Sequence, residues 1–190
     1  MRNLGIAGFG ALVLAGWLPA AAPDFARELD NVARTGSVMV DGDVCQRIVT
    51  ARAIKSMLTK DPRDEWAAAD NYDVEHEPYN RTKKTLLRLA RLVDFPCDVN
   101  LWLPVPGKPG RIHVVIRNVH EMSQFWNFGV LEQAMTPEMK TVLESGRRVT
   151  VTQKPGWVSV LAPVSNSLGD IVGLIEAVAQ TKPDPYGNVK

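Results

Sequence analysis

Three histidines are the residues of this chain best suited to acid–base or metal chemistry, and their spacing limits what they can do. His76 lies between two glutamates, but no second histidine follows four residues later, as the helix of a zinc protease requires. His113 and His120 are seven residues apart, so a regular strand would point them to opposite faces. A shared metal site is therefore not favoured, and we expect surface or hydrogen-bonded histidines.

The other motifs of enzymes are missing from the sequence. No serine, threonine or cysteine stands in a nucleophile motif, and no glycine-rich loop is suited to a phosphate. The formal net charge is +1, which gives no electrostatic reason to expect nucleic-acid binding. We therefore expect a protein that is not an enzyme, with no catalytic residues, no metal and no cofactor.

Aromatic and charged residues in the second half of the chain could instead line a binding site. An arginine fork such as that of Arg117 suits a ligand carboxylate, and Glu176, the one charge in an apolar strand, must be paired or solvated. The alternative is that these two side chains pair with each other or face solvent and that the tryptophans belong to the core. The candidate ligand-binding residues are Trp102, Arg117, Trp126, Asn127, Trp157 and Glu176.

The first 22 residues have the layout of a secretory signal. A basic start, Met1-Arg2-Asn3, precedes an uncharged apolar run, and charged chain follows from Asp24. Pro23 comes directly after the small residues 20–22, which disfavours cleavage there. A retained run of about 19 residues would be just long enough to cross a bilayer. We expect a periplasmic or secreted protein, cleaved or membrane-anchored; a buried helix of a cytosolic protein is the alternative.

Cys45 and Cys97 are the only cysteines. In an exported chain, two cysteines separated by a long interval are most simply one disulfide. On the chain-entropy model, closing a loop of about 52 residues stabilises a fold by on the order of 4 kcal/mol. Neither cysteine stands in a CxxC or CxxCH motif, and a metal site or a reactive thiol is the alternative. We predict a disulfide between them.

Apolar periodicity predicts helices in the first half of the chain. The length suffices for one domain, residues 24–179, and residues 180–190 form a predicted flexible tail. Helical spacing of apolar residues predicts helices over Asp24–Ala33, Asp43–Leu58 and Arg81–Val93, with a long polar loop over Lys60–Asn80. The basic stripe of the third helix is typical of a solvated face, although it could also contact a partner.

Alternating apolar residues predict strands in the second half. The last predicted strand is apolar on both faces except for Glu176, so we expect it to be buried on both sides and central. Two short helical pieces, Met122–Phe128 and Thr136–Glu144, interrupt the strands. The predicted strands are Asp98–Pro104, Arg111–Val119, Arg148–Lys154, Trp157–Val164 and Ile171–Ala179.

The order of these elements resembles the PAS-like extracytoplasmic sensors called Cache domains. The resemblance covers Asp98–Ala179 and rests on the short helix PEMKTVLESG, on Trp157, on Ala162-Pro163-Val164, and on Gly169-Asp170-Ile171-Val172-Gly173. It implies an α+β fold in which N-terminal helices precede a five-stranded antiparallel PAS-like sheet. It also implies that a small metabolite binds between the concave side of the sheet and the loops and helices that cover it.

Two functions follow as hypotheses. The first is an exported, non-catalytic small-molecule-binding or sensory module. No kinase, cyclase or methyl-accepting segment follows Lys190, so any output is expected to pass through a separate signalling or membrane protein. The second is a periplasmic accessory or scaffold protein that keeps the PAS-like fold but binds a protein partner through the basic helix Arg81–Val93 and the loop before it.

Overall fold

The structure is a computed structural model, and it describes residues 24–59, 73–127 and 129–181. The predicted signal segment 1–22, most of the predicted loop Lys60–Asn80 and almost all of the predicted tail lie outside the described residues. No helix among the described residues is long and apolar enough to cross a membrane.

Helices form the first half of the described chain. Asp24 begins the first helix, because its Oδ1 accepts a hydrogen bond from the Arg27 amide at 3.2 Å. A 3-10 turn, Ala90–Leu92, extends the fourth helix, and the fifth lies between strands. The helices are α1 (Phe25–Met39), α2 (Gly42–Cys45), α3 (Ala51–Thr59), α4 (His76–Leu89) and α5 (Pro137–Ser145).

The second half forms one curled antiparallel sheet. Its strands are β1 (Asp98–Pro104), β2 (Arg111–Ile116), β3 (Gln133–Ala134), β4 (Val149–Val151), β5 (Trp157–Ser165) and β6 (Ile171–Gln180), in the order β3-β2-β1-β6-β5-β4. The predicted α+β class, with helices before an antiparallel sheet, is confirmed. The described sheet has six strands and not five, because the two-residue β3 pairs with the edge of β2. A strand of two residues is too short to show the alternation of apolar and polar residues from which strands are predicted.

The predicted hairpin of β5 and β6 is confirmed. Trp157 is paired with Gln180 and Val164 with Gly173, and β6 lies between β5 and β1 at the centre of the sheet. The turn is closed by Asn166, whose Oδ1 accepts from the Leu168 and Asp170 amides.

Both faces of the sheet are covered. The first face packs against α1 and α4 and includes Val99, Val160 and Ala177. The second face includes Trp102 and Leu161, and it packs against α5 and the aromatic ring of Phe125. Each face therefore contributes to its own apolar cluster, and polar groups on the second face must find partners inside the protein.

The helix α1 runs past its predicted end at Ala33. Gly36 lies inside the helix and is buried. A Cβ atom at this position would lie 2.2 Å from Ile175 Cδ1 on β6. The glycine thus allows α1 to pack closely against the sheet and does not interrupt the helix.

The predicted helix Asp43–Leu58 is wrong, because α2 and α3 are separate. Between them Val49 pairs with Val74 in an isolated antiparallel bridge. Thr50 then begins α3, since its Oγ1 accepts from the Ala53 amide at 3.2 Å.

Other boundaries also differ from the sequence predictions. The helix α4 begins at His76 and not at Arg81, because Pro78 is compatible with a first helical turn. The strand β2 ends at Ile116, three residues early, and β4 covers only Val149–Val151. Residues 122–127 of the predicted helical piece Met122–Phe128 are not helical.

The predicted helix Thr136–Glu144 is confirmed as α5 to within one residue at each end. Thr136 Oγ1 accepts from the Met139 amide at 3.4 Å, and Pro137 occupies the first turn. Gly146 ends the helix in the left-handed conformation, with φ of 69°.

Candidate functional site

Residues 118–127, which we call the covering segment, lie on the second face of the sheet. They form neither helix nor strand, so their backbone groups need partners elsewhere. Two buried carboxylates of the sheet, Asp98 on β1 and Glu176 on β6, supply acceptors for them. These two side chains determine how the covering segment is held.

Glu176 has donors around both of its carboxylate oxygens. The side chain is fully buried, and burial raises the pKa of its carboxyl, while the donors act against that shift. Oε2 accepts from Ser123 Oγ at 2.7 Å, Trp102 Nε1 at 3.2 Å and Asn100 Nδ2 at 3.4 Å, and Oε1 accepts from the Gln124 amide at 2.9 Å and Ser159 Oγ at 3.0 Å. The lone pairs of this carboxylate are engaged inside the protein, and it is not an open ligand site.

Asp98 holds the preceding part of the covering segment in the same way. Its Oδ2 accepts from the Met122 amide at 2.8 Å. Its Oδ1 accepts from the His120 amide at 3.3 Å and lies 2.9 Å from the His120 ring atom Nδ1. Asn100 completes the connection, because its Nδ2 donates to the Met122 carbonyl at 2.7 Å and its Oδ1 accepts from the Asn118 amide at 3.1 Å.

Arg117 does not pair with Glu176, contrary to one alternative from the sequence. It lies just past the end of β2, and its guanidinium stacks 4.0 Å from the centre of the Trp126 ring. Its Nη1 lies 3.5 Å from Glu121 Oε1, and Lys83 Nζ donates to its carbonyl. The predicted residues Arg117 and Trp126 therefore contact each other.

The structure does not bring all six predicted site residues together. Trp102 and Glu176 are hydrogen-bonded in the interior. Asn127 is exposed, and its Nδ2 donates to the Phe125 carbonyl at 3.5 Å. Trp157 is half-buried at the start of β5, and the ammonium of Lys154 lies 4.0 Å from its ring centre.

A groove at one end of the sheet is lined by polar residues that were not among the predicted site residues. One wall is formed by the end of α4 and the residues that follow it, and the other wall by the start of the covering segment. The volume of the groove is about 410 Å³. Asn118 is buried, and its Nδ2 has no hydrogen-bond acceptor among the described residues. Other lining residues include Arg91, Asp94, Phe95, Asp98 and His120. We call this feature the Asn118 groove.

A second, smaller cleft is mostly apolar. It has a volume of about 260 Å³ and lies between the α2–α3 region and the sheet, where Leu103, Val49 and Ile54 contribute to its walls. Gln46 and His113 are its polar lining residues. Burial lowers the pKa of His113 to about 4, so this histidine is neutral at physiological pH and adds no charge to the cleft.

The predicted disulfide is not supported by the structure. Cys45 in α2 and Cys97 just before β1 are free, buried and not near each other. Burial is the main cause that raises the pKa of each thiol to about 12. Both side chains belong to the apolar cluster of the first sheet face, and there they act as small hydrophobic residues.

Comparison with known proteins gives no family assignment. The chain matches no family model, and no curated protein matches it.

Proposed function

We propose that the protein is an exported, non-catalytic module that binds a small molecule and acts through a separate partner protein. The observation that carries this proposal is the Asn118 groove, a groove of about 410 Å³ whose lining includes Arg91 and Asp94, charged side chains without an ion pair among the described residues. Charged side chains that the fold does not pair are available to a ligand.

The lining of the Asn118 groove also favours a small ligand. Small-molecule sites combine an apolar wall with a few polar groups in a volume of about 300–1,000 Å³. Here Phe95 and Val119 are apolar, and Arg91, Asp94 and His120 are polar. The groove is distinct from the sheet-face site that the Cache resemblance implies, since the polar groups of that face are used in the Glu176 network.

Two further observations are in keeping with this proposal. Apart from the two-residue β3, the strands follow the order on which the resemblance rests, with β1 and β2 before the excursion that contains α5 and then β4, β5 and β6. The basic and then apolar start of the sequence supports export.

A thermal-shift screen of the purified chain against small metabolites tests the proposal. A compound present at about 100 times its Kd should raise the stability by about 2.7 kcal/mol. Val119→Trp, at an exposed residue of the groove wall, should narrow the groove and abolish the shift. The matched control is Leu168→Trp, which adds the same side chain at an exposed residue of the β5–β6 turn and should leave the shift unchanged. A screen without hits, or hits insensitive to Val119→Trp, would contradict the proposal.

A second candidate function is docking of a protein partner. Exposed apolar side chains support it, because Val38, Met39 and Leu168 are 81%, 60% and 84% exposed. They flank a contact between α2 and the β5–β6 turn, in which the Ser167 amide donates to Asp43 Oδ2 at 2.9 Å. Exposed apolar residues close together are typical of interaction sites.

The two candidate functions predict different effects of substitution. A triple change of Val38, Met39 and Leu168 to serine should abolish capture of a partner from a periplasmic extract if this surface docks a protein. The same change should leave small-molecule shifts intact.

A further inference from the structure

We infer that the Asn118 groove selects a small carboxylate that also carries a hydroxyl or amino group. This inference rests on the proposed function and names the ligand class of the same site. It follows from the charges and hydrogen-bonding groups that line the groove.

Arg91 supplies a positive charge that is available to a ligand. It is exposed in the 3-10 turn after α4 and lines the groove. Among the described residues its guanidinium has no ion pair or hydrogen bond. A guanidinium fork matches a carboxylate in both charge and geometry. Arg91 is therefore the residue expected to take the carboxylate.

Asn118 also lines the groove, but the fold holds its side-chain amide in the interior. Its backbone amide donates to Asn100 Oδ1 at 3.1 Å, and its own Oδ1 accepts from the Val119 amide at 2.9 Å. These bonds fix the orientation of the side-chain amide, so that Nδ2 is the atom left with no acceptor among the described residues. This atom is not accessible from the groove, so the ligand class rests on the other lining groups.

His120 supplies an acceptor with a fixed orientation. Its Nδ1 lies 2.9 Å from the buried Asp98 carboxylate, and the imidazole is about half exposed. Because Nδ1 faces Asp98, Nε2 is the ring nitrogen left for a ligand, and it is an acceptor whenever the ring carries a single proton on Nδ1. Within residues 24–59, 73–127 and 129–181, the hydrogen-bonding contacts of His120 are all with Asp98. Nε2 can therefore accept from a ligand hydroxyl or amino group.

Asp94 limits the ligand further. It lines the same groove and has no ion pair among the residues that the structure describes. Its carboxylate repels any anion, and it repels a dianion about twice as strongly as a ligand with one carboxylate. A ligand with one carboxylate and one donor group therefore matches Arg91, which can bind the carboxylate, and His120 and Asp94, which can accept from the donor group.

The test compares three acids of nearly equal size by isothermal titration calorimetry on the full chain. Lactate carries a hydroxyl, alanine an amino group, and propionate neither. We expect lactate or alanine to bind at least about tenfold more tightly than propionate, because the donor adds a hydrogen bond in a partly buried site. Equal affinities for the three acids would overturn the inference.

Two matched pairs of variants assign the contacts. Arg91→Gln should weaken binding by about tenfold or more, and Arg88→Gln, an exposed arginine of α4 that does not line the groove, should change it by less than about twofold. His120→Asn keeps a donor near the Nδ1 position but removes Nε2, and it should abolish the preference for lactate or alanine over propionate. His120→Gln places an amide oxygen near the Nε2 position and should retain that preference.

Failure of this inference can be distinguished from failure of the proposed function. If other compounds bind and Val119→Trp abolishes their binding, but Arg91→Gln does not weaken it, the groove is a ligand site and the ligand class is wrong. If no compound of the wider screen stabilises the protein, both the proposed function and the ligand class are wrong.

Discussion

Replacement of Glu176 by glutamine tests whether the buried carboxylate stabilises the fold. The substitution keeps the length of the side chain but replaces one acceptor oxygen with an NH₂ donor. If Oε1 is kept for the Gln124 amide and Ser159, the new NH₂ faces three former donors. Ser123 Oγ already accepts from the Phe125 and Trp126 amides, each at 3.0 Å, so its hydroxyl would lose its acceptor. Asn100 Nδ2 keeps the Met122 carbonyl at 2.7 Å.

Trp102 has no such alternative. Its Nε1 donates to Glu176 Oε2 at 3.2 Å, and the side chain is 1% exposed. A buried donor without an acceptor costs about 1–3 kcal/mol. Burial raises the pKa of the Glu176 carboxyl, so removing the charge offsets part of the loss. We expect Glu176→Gln to lower the free energy of unfolding by about 2 kcal/mol.

Urea unfolding at neutral pH measures this change, with Glu144→Gln as the control because Glu144 is an exposed residue of α5. A double-mutant cycle with Trp102→Phe isolates the Trp102–Glu176 hydrogen bond. In the Trp102→Phe background, Glu176→Gln should cost at least about 1 kcal/mol less. An unchanged urea midpoint for Glu176→Gln, or additive effects in the cycle, would refute the network as described.

Three further predictions concern stability and reactivity. Burial lowers the pKa of His113 to about 4 from 6.5, so the unfolded chain binds the proton more tightly. Between pH 4 and 6.5 the stability of the native sequence should therefore rise by about 3 kcal/mol more than that of His113→Gln. Gly42→Ala should lower the urea midpoint, corresponding to about 1–3 kcal/mol, because a Cβ there would lie 2.4 Å from the Ser165 carbonyl oxygen; an unchanged midpoint would show that α2 can move away. Cys45 and Cys97 should resist a thiol reagent in the native protein and both react in denaturant, whereas no reaction in denaturant without reductant would restore the disulfide.

The strands with regular alternation were predictable from the sequence. Residues 157–179 alternate around a turn with glycine and asparagine, and the hairpin and its central position follow from local rules. The ends of the helices were harder to predict. Gly36 lies inside α1 because the helix packs closely against Ile175, a residue that is far away in the sequence. No local pattern reports the distance between two elements.

The candidate site was predictable only in part. Glu176 was identified because a charge in an apolar strand must find partners, and its contact with Trp102 joins two of the predicted residues. The other partners of Glu176, such as Ser123 and Ser159, are common polar residues with no distinguishing sequence signal. The Asn118 groove was not predictable, because its lining residues come from two elements that are distant in the sequence. From the sequence, His120 was considered only as a possible metal ligand together with His113.

The covering segment is held in place by hydrogen bonds to side chains of the sheet and not by backbone hydrogen bonds of a helix or strand. Its amides are held by Asp98 and Glu176, on two adjacent strands. A local opening that exposed this segment would have to break the bonds to both carboxylates, so it should open cooperatively and rarely. His120 is part of the same unit, and a ligand bound to it would reduce the frequency of that opening. Events in the groove would then be transmitted to the central strand β6 through a change in local stability, without any large movement of the sheet.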